Sequence, residues 1–357
     1  MKNRDQKNSF FTTGRTFVIA EAGSNWKACS PRRDWKRALA LIDAACEAGA
    51  DAVKFQTFRA DTVYVPNAGT SDYLSKNGVR RSIVEVFKDM SMPYPMIARL
   101  TAACRRRGIE FMSSFFSPAD FGAVDPHVRI HKIASYEISH PQLLTLAARS
   151  KKPLILSTGA STLDEIGWAV RFFRSRGGRA LCLMQCTAKY PAPFSALNLK
   201  AIPALARTFD VVAGFSDHSR DPLIAPVAAV ALGARVIEKH FTLSNKLAGP
   251  DHAFAVTPAE LKQMVTAVRR CEEALGDGHK RVLSEERELH AYAQRALQAT
   301  RRIARGERLR LDENIAILRP GKQPKGLHPM HLAYVVGRRV SRVIHAGVGI
   351  RRGDLAK

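Results

Sequence analysis

Short apolar runs and longer amphipathic stretches alternate along most of the chain. The apolar runs are too continuous for strands with one face in water and are typical of buried parallel strands. The stretches between them repeat apolar residues with a period near 3.6, which indicates helices. The eight runs are FVIAEAG (17–23), DAVKFQTF (51–58), EFMSSFF (110–116), HKIASYEI (131–138), PLILSTG (153–159), ALCLMQCT (180–187), DVVAGFSD (210–217) and RVIEKHFT (235–242).

Eight alternating β and α units over about 230 residues predict an α/β fold of the (β/α)8 TIM-barrel type. The alternative is a doubly wound open sheet, which usually carries a glycine-rich GxGxxG turn after its first strand. Here that turn is AEAGSNW, with one glycine. The barrel is therefore favoured.

Two of the predicted helices have residues at their ends that are typical of helix starts and stops. In the first helix after strand one, Asp34 is the predicted N-cap and Gly49 lies near the end. After strand eight, residues 257–276 form an amphipathic stretch that begins with Thr257 and Pro258 and has acidic Glu260 in its first turn. These are favourable helix starts.

From about residue 299 the pattern changes to short strands and turns. So short a segment supports only a modest core, and we expect contacts with the barrel or with a partner subunit to stabilise it. The predicted organisation is an N-terminal extension (1–16), a barrel domain (17–278), a linker with some helix (279–298) and a small β-rich C-terminal domain (299–357).

The net charge is the unusual feature of the composition. The 357 residues include 56 Lys and Arg against 32 Asp and Glu, a net charge of +24. Such a charge attracts anions, among them nucleic acid, acidic lipid and phosphorylated substrates. Aromatic residues make up only 8% and are not interleaved with the basic ones. A dedicated nucleic-acid reader more often shows that interleaving, so we expect no specific nucleic-acid partner.

We expect a cytoplasmic protein without a membrane partner. No run of about 18 apolar residues is present, and the first sixteen residues lack the apolar stretch of a signal peptide. The six cysteines include no CxxC pair, which excludes a disulfide scaffold. Cys182 and Cys186 lie in a strand and are interpreted as small buried apolar residues.

Polar residues recur where a parallel barrel performs chemistry, at the C-terminal ends of the strands and in the loops that follow. The residues at these ends are Glu21 and Asn25, Lys54 and Gln56, Ser113 and Ser114, Lys132 and Ser135, Ser157 and Thr158, Gln185, Thr187 and Tyr190, Ser216, Asp217 and His218, Glu238 and His240, and Asp251 and His252.

Two lysines lie inside apolar strands, Lys54 in AVKFQ and Lys132 in HKIAS. A buried lysine almost always has a partner, and an anionic ligand at the barrel mouth would supply one. Lysines with several hydroxyls suit a phosphate. The alternative is that each lysine extends to the rim and keeps its ammonium group in water.

His218 and His240 end neighbouring strands, with Glu238 and Asp217 nearby. Two imidazoles so placed can share a divalent metal whose other positions are filled by substrate or water. Nitrogen donors beside an oxygen-rich substrate suit Mn, Fe, Co or Zn better than Mg. A structural role for each histidine is the alternative.

Taken in order, these segments resemble the sialic acid synthase family, which makes nine-carbon keto sugar acids from phosphoenolpyruvate. The resemblance runs from about residue 16 to 354. It implies a TIM barrel, a C-terminal SAF domain similar to type III antifreeze protein, and a domain-swapped homodimer. The matching stretches are IAEAGSNW, GADAVKFQTF, KIASYEI, PLILSTGAS, CTAKYPAP, GFSDHS, GARVIEKHFT, GPDHAF and NIAILRPGKQPKGLHP.

The resemblance also implies residue roles and a divalent metal, Mn in the first place, with Mg or Co as alternatives. Glu21 matches the carboxylate near the reacting carbons, and Arg319 matches an arginine that reaches into the partner's site. His218 and His240 match the metal ligands. Positions near the acceptor sugar are Gln56, Tyr190 and Asp251. Positions that hold phosphoenolpyruvate are Lys54, Ser114, Lys132, Ser135, Ser157 and Ser216.

The branch of the family, and with it the acceptor sugar, stays open. KIASYEI is more similar to the pseudaminic acid and spore-coat synthases, whereas GPDH is more similar to the sialic and legionaminic acid synthases. Trp26 stands where the family often has histidine, and Ala188 stands where it often has Asn or Ser.

The expected reaction condenses phosphoenolpyruvate with an N-acetylated hexosamine, N-acetylmannosamine or a diamino-hexose analogue, and releases phosphate. Two alternatives remain: a related synthase that acts on a phosphorylated sugar, and a non-enzymatic basic protein that binds polyanions. The first usually lacks a C-terminal domain like residues 299–357. The second would leave the strand-end cluster unexplained.

Overall fold

The computed structural model describes residue 11, residues 14–28, residues 30–70 and residues 81–356. Most of the predicted N-terminal extension, residues 1–10, 12 and 13, lies outside these residues, as does Cys29. The chain divides into two compact units, Met1–Gly276 and Asp277–Lys357.

Within the described part of the first unit, eight parallel strands close into a barrel in the order in which they follow along the chain, with the last strand pairing with the first. Each strand lies within one of the eight predicted apolar runs, which confirms the TIM barrel. The strands are β1 (Phe17–Gly23), β2 (Ala52–Thr57), β3 (Glu110–Phe115), β4 (His131–Ile133), β5 (Leu154–Ser157), β6 (Leu181–Cys186), β7 (Val212–Asp217) and β8 (Val236–His240).

Helices connect the strands. In the part of the chain that the structure describes, no helix is both long and apolar enough to cross a bilayer. The α-helices among the described residues of the first unit are α1 (Pro31–Glu47), α2 (Ala60–Val63), α3 (Ile83–Met90), α4 (Tyr94–Arg107), α5 (Pro118–Val124), α6 (Pro141–Arg149), α7 (Leu163–Ser175), α8 (Ala201–Phe209), α9 (Ile224–Ala231) and α10 (Pro258–Leu275).

The predicted start of α10 agrees with the structure, whereas that of α1 does not. Thr257 caps α10 as expected: its Oγ1 accepts from the Glu260 N–H, and Glu260 accepts from the Thr257 N–H. The predicted N-cap Asp34 of α1 is wrong, because the helix begins one turn earlier at Pro31, whose fixed φ suits a first turn. Asp34 instead accepts from the backbone N–H of Ala28.

Apolar side chains fill two layers of the first unit. The larger layer lies between the strands and the helices, and includes Leu41, Phe55 and Phe215. A smaller cluster, which we call the barrel plug, consists of Phe11, Ile19, Ala52, Met112, Ile130, Ile155, Cys182, Met184 and Val236. Cys182 and Cys186 are buried, as predicted for small apolar residues.

The second unit has its own small core. It contains α11 (Arg287–Ala293), the antiparallel strands β9 (Ala296–Ala299) and β10 (Ile315–Leu318), and α12 (Leu332–Val335). Its fully buried residues include Leu297, Ile303, Leu309, Ile315 and Ile350. The expectation of a small β-rich C-terminal domain is confirmed.

Candidate active site

Side chains on the inner face of the barrel change from apolar to polar toward the C-terminal ends of the strands. Successive inward positions of a strand are two residues apart, so a plug residue is followed two positions later by a residue of the candidate site. The pairs are Ile19 and Glu21, Ala52 and Lys54, Met112 and Ser114, Ile155 and Ser157, and Val236 and Glu238.

Glu21 and Lys54 form a buried ion pair. They occupy paired positions of β1 and β2, and Lys54 Nζ lies 2.8 Å from Glu21 Oε2. Gln56, the next inward residue of β2, donates its Nε2–H to Glu21 Oε1 at 2.9 Å. Both carboxylate oxygens of Glu21 are therefore held by β2.

Gly23 permits the close approach of three polar side chains at this point. Its φ is +52°, and a Cβ there would lie 3.1 Å from Asp251 Oδ2 and 3.3 Å from Glu21 Oε1. A side chain at this position would be strained by its backbone angle and crowded by the two carboxylates.

Glu238 on β8 links the two buried lysines. Its Oε1 lies 3.6 Å from Lys54 Nζ and 4.0 Å from Lys132 Nζ, and accepts from Ser216 Oγ at 3.3 Å. The sequence analysis expected an anionic ligand to supply the partner of these lysines, and the structure shows that the barrel itself already supplies carboxylates. The lysines are also too deeply buried to extend to the rim.

The four charges shift one another's pKa. Burial alone would lower the pKa of Lys54, but Glu21 and Glu238 raise it above its ordinary value. Burial lowers the pKa of Lys132, and Glu238 offsets this only in part. Burial would raise the pKa of Glu238, but Lys132 and Lys54 hold it below its usual value. Burial raises the pKa of Glu21 to about 7 in spite of Lys54.

Hydroxyl groups complete the surroundings of the lysines. Lys54 donates to Ser114 Oγ at 3.2 Å and Lys132 donates to Ser157 Oγ at 2.8 Å. Ser135 follows β4 and accepts from the Gly159 N–H at 3.0 Å. Two ammonium groups surrounded by hydroxyls can bind the oxygens of a small anion.

His218 and His240 lie close together at the same end of the barrel, with their ring centroids 5.5 Å apart. His218 donates from Nδ1 to the carbonyl of Thr187 at 2.7 Å, and both of its ring nitrogens lie 3.8 Å from Cys186 Sγ. Burial lowers the pKa of His218 to about 4 and that of His240 well below its usual range. Both rings are therefore neutral at pH 7.

Aromatic rings enclose the two imidazoles. Tyr190 lies 4.1 Å from His218 and 5.8 Å from His240, measured between ring centroids. Phe254 lies 5.2 Å from His240 and 5.1 Å from Tyr190. Burial raises the pKa of Tyr190 well above its usual value, so its hydroxyl stays protonated. The sequence alone did not indicate Phe254.

The two histidines fit a divalent metal as a pair. The bond from His218 Nδ1 to Thr187 leaves the Nε2 lone pair for a ligand. Among the described residues, the buried Nδ1 of His240 has no hydrogen-bond partner. No group of three or more His, Cys, Asp or Glu in this described part is arranged to hold a metal. A bound ion would therefore take two protein ligands and complete its shell with substrate or water.

Asp251 and Asp217 have different surroundings. Asp251 Oδ2 lies 3.9 Å from His240 Nδ1 and accepts from Ser24 Oγ at 3.5 Å, and burial raises the pKa of Asp251 to about 6. Asp217 was expected near a metal on His218. It instead forms an ion pair with Lys239, with 2.6 Å between Oδ2 and Nζ.

Twelve of the thirteen predicted site residues thus lie at or beside the C-terminal ends of the barrel strands. Arg319 belongs to the second unit, where it follows β10 and is exposed. Its predicted role at a partner's site stays a prediction.

Two carboxylates were missing from the predicted set. Glu238 was visible as an inward residue two positions before His240, but its contacts with both lysines cross the barrel and leave no trace in sequence spacing. Glu137 lies in the turn after β4. Its Oε2 is buried without a hydrogen-bond partner among the described residues, and burial raises its pKa to about 7 in spite of Lys132. The sequence feature that could have identified Glu137 as a site residue is its position two residues after Ser135.

Comparison with known proteins identifies the family of the chain. The chain matches the model of the NeuB family over residues 41–280 and that of the SAF domain over residues 294–356. It belongs to the NeuB family. The family region contains most of the barrel, and the SAF region contains β9 and β10.

Three relatives illustrate this NeuB-family membership. The chain is 41% identical to spore coat polysaccharide biosynthesis protein SpsE of Bacillus subtilis, covering 95% of this chain and 93% of that protein. It is 36% identical to pseudaminic acid synthase of Campylobacter jejuni (98% and 99%) and 37% identical to N,N'-diacetyllegionaminic acid synthase of Legionella pneumophila (93% and 92%). The crystal structure of SpsE matches with a TM-score of 0.63 at 39% identity, covering 96% of both chains.

Proposed function

We propose that this NeuB-family chain condenses phosphoenolpyruvate with the open-chain aldehyde of an N-acetylated hexosamine. The products are a nine-carbon 2-keto sugar acid and phosphate, and the acceptor is N-acetylmannosamine or a diamino-hexose analogue. One observation carries the proposal: two buried lysines with their serine hydroxyls converge at the same barrel mouth as two neutral histidines. The names of two of the relatives, both synthases of sugar acids, support the reaction class.

The lysines and hydroxyls hold phosphoenolpyruvate. Lys54 and Lys132 supply two positive charges for its phosphate and carboxylate, and Ser114, Ser157 and Ser216 supply hydrogen bonds. The protein already keeps these groups in place through Glu238, so little reorganisation is needed on binding. Such fixed positions align the enol carbon C3 with the acceptor.

His218 and His240 would hold the divalent metal, with Mn as the first choice. When bound, it supplies a Lewis acid that polarises the aldehyde oxygen of the acceptor. The protein contributes two neutral imidazoles, the form in which histidine ligates metals. Tyr190 and Phe254 exclude water from the space around the rings.

Glu21 acts at C2 of phosphoenolpyruvate. As C3 bonds to the aldehyde carbon, C2 becomes electron-poor, and a carboxylate beside it stabilises the positive charge or takes a proton from the water that adds there. Phosphate then leaves as its C–O bond breaks, and the oxygen of the added water becomes the keto oxygen. Lys54 and Gln56 hold Glu21 for this task.

The acceptor sugar would contact Gln56, Tyr190 and Asp251, and we add Glu137. A carboxylate oxygen accepts hydrogen bonds from sugar hydroxyl groups. Because Glu137 Oε2 is buried without a hydrogen-bond partner among the described residues, a hydroxyl group of the sugar is a suitable donor to it.

We also propose that the active protein is a domain-swapped homodimer in which Arg319 of one subunit serves the barrel of the other. The exposure of Arg319 in the second unit leaves its guanidinium accessible to a partner. The resemblance of LRPG to the family's arginine-bearing motif supports this assignment.

Phosphate release tests the proposal. The purified protein is incubated with phosphoenolpyruvate and Mn, first alone and then with each of the candidate acceptors, with EDTA as control. We expect phosphate release that requires an acceptor, stops with EDTA and returns with added metal. Absence of release with every acceptor would contradict the proposal, and a salt-dependent gel shift without release would favour the polyanion-binding alternative.

A further inference from the structure

Lys239 is a buried charge that the proposed chemistry does not use. It lies on β8 between Glu238 and His240, so its side chain points to the opposite face of the strand from theirs. Its Nζ lies 2.6 Å from Oδ2 of Asp217, which occupies the paired position on β7. The side chains of Lys239 and Asp217 are 1% and 0% exposed.

The ammonium group of Lys239 also holds the loop of residues 218–223, which starts with His218. It donates to the backbone carbonyls of Ser219 and Asp221 and approaches Ser219 Oγ. Asp217 accepts from the Ser219 N–H at 2.8 Å through its second oxygen, Oδ1. The first turn of the loop is therefore fixed from two strands.

The far end of the same loop is fixed as well. Asp221 Oδ1 accepts from the backbone N–H groups of Leu223 and Ile224 at 2.9 and 2.6 Å, at the start of α9. Since Lys239 binds the carbonyl of Asp221, it connects the strand of His240 to both ends of the loop that carries His218.

If only the stability of the barrel mattered, two apolar residues in place of Lys239 and Asp217 would be at least as favourable. Burial of an ion pair costs several kcal/mol per ion in desolvation, and replacing such a pair by apolar residues is often neutral or stabilising. The outer faces of parallel barrel strands are normally apolar. What apolar side chains cannot do is bind the loop carbonyls and so set the position of the residue that begins the loop.

We propose that Lys239, acting with Asp217, is a positioning residue that sets His218 relative to His240 so that both imidazoles reach one metal ion. The inference rests on the proposed function, because it takes the two histidines as metal ligands. It assigns Lys239 no contact with substrate or metal.

Metal affinity tests the proposal separately from catalysis. Mn binding to metal-free protein is measured by titration calorimetry, and thermal unfolding is followed in parallel, for the wild type, Lys239→Arg, Lys239→Met and the double variant Lys239→Met with Asp217→Leu. The double variant leaves no unpaired buried charge and keeps the test valid if Lys239→Met does not fold. The control is Lys152→Met with Asp125→Leu, which removes an ion pair before β5, at the opposite end of the barrel.

We expect the double variant to fold but to bind Mn more weakly, on the order of 10- to 100-fold, as when groups that orient metal ligands are removed. Lys239→Arg should recover part of the affinity, and the control should bind as the wild type does. A folded double variant with wild-type Mn affinity would overturn the positioning role and leave the proposed function intact. A wild-type protein that binds no divalent ion would overturn both.

Discussion

Glu21 and Lys54 face each other across β1 and β2 as an ion pair of 2.8 Å, with 1% and 3% of their side chains exposed. Glu21 and, after it, Glu238 raise the pKa of Lys54 above its ordinary value, so Lys54 keeps its charge. Under the proposed function, Glu21 acts at the reacting carbon while Lys54 binds an oxygen of the anionic substrate.

Replacement of Glu21 by glutamine should abolish most of the turnover and leave the fold intact. The amide keeps the shape of the side chain but cannot stabilise positive charge or accept a proton, so we expect kcat to fall by about 100-fold or more. Phosphate-release kinetics measure the loss, and calorimetry should still detect phosphoenolpyruvate binding. Glu110→Gln, at the start of β3, is the control and should retain turnover. Near-normal kcat in Glu21→Gln would exclude the assigned role.

Removal of the Lys132 charge should weaken phosphoenolpyruvate binding. Lys132→Met keeps the apolar stem and removes a charge-assisted hydrogen bond worth about 1.5–3 kcal/mol, so we expect the KM for phosphoenolpyruvate to rise about 10- to 100-fold. The KM for the acceptor should change little. Lys152→Met is the matched control before β5. Equal effects of the two substitutions would show that Lys132 acts only through stability.

Glu137→Gln should have the opposite effect on the two KM values, raising that for the acceptor and not that for phosphoenolpyruvate. Because the pKa of Glu137 is about 7, the kinetics are measured at about pH 8, where the carboxyl group is mostly ionised. A neutral amide keeps one acceptor oxygen but loses the charge that binds sugar hydroxyl groups, so the KM for the acceptor should rise by about 10-fold. The KM for phosphoenolpyruvate should stay the same or fall, because a nearby negative charge has been removed. Steady-state kinetics with each substrate varied in turn decide between these effects. A higher KM for phosphoenolpyruvate alone would show that Glu137 contributes to binding phosphoenolpyruvate and not the acceptor.

Acid stability should depend on His131, at the start of β4. Its ring lies against Phe115 and Phe121, contacts Asp125 and is influenced by Lys152, and burial lowers its pKa to about 4. The unfolded chain therefore binds the proton more readily. The contribution of His131 to stability is complete above pH 6.5 and is lost as the pH falls toward 4.

His131→Phe should remove this dependence, because phenylalanine keeps an aromatic ring at this position and does not titrate. Between pH 7 and pH 4 the wild type should lose roughly 3 kcal/mol more unfolding free energy than His131→Phe. Urea titrations at a series of pH values measure the difference. Parallel curves for the two proteins would show that His131 does not have the lowered pKa.

Subunit mixing tests the proposed exchange of domains. Arg319→Ala and Glu21→Gln should each be inactive alone. In a domain-swapped dimer, a mixed pair contains one site with both defects and one with neither, so random mixing should restore about a quarter of the wild-type activity. Unfolding and refolding the two proteins together, then assaying phosphate release, makes the measurement. No recovery in dimers of confirmed mixed composition would show that Arg319 serves its own barrel, and an active Arg319→Ala protein would show that it serves neither.

The barrel could be predicted from sequence because its signals are local. Each strand is an apolar run, and the step of two residues from Ile19 to Glu21 or from Val236 to Glu238 places a polar side chain on the inner face. The same rule places His240 beside Glu238. This periodicity and the common direction of parallel strands place polar residues at the strand ends, and the family resemblance selected the predicted site residues among them.

The remaining features depend on contacts that spacing does not encode. The bond of Glu238 to both lysines crosses the barrel, and nothing in RVIEKHFT indicates its partners. Asp217 is adjacent to His218, yet the alternation of the strand turns it outward to Lys239. The start of α1 is a different kind of miss, because a local signal was present: Pro31 suits the first turn of a helix and lies three residues before Asp34.

The most direct test is a crystal structure of the protein with phosphoenolpyruvate and Mn, in which anomalous scattering locates the metal. The interpretation predicts one Mn ion bound by nitrogen atoms of both His218 and His240, and phosphoenolpyruvate oxygens within hydrogen-bond distance of Lys54 and Lys132. An ion or a phosphoenolpyruvate molecule bound away from these four residues would contradict it.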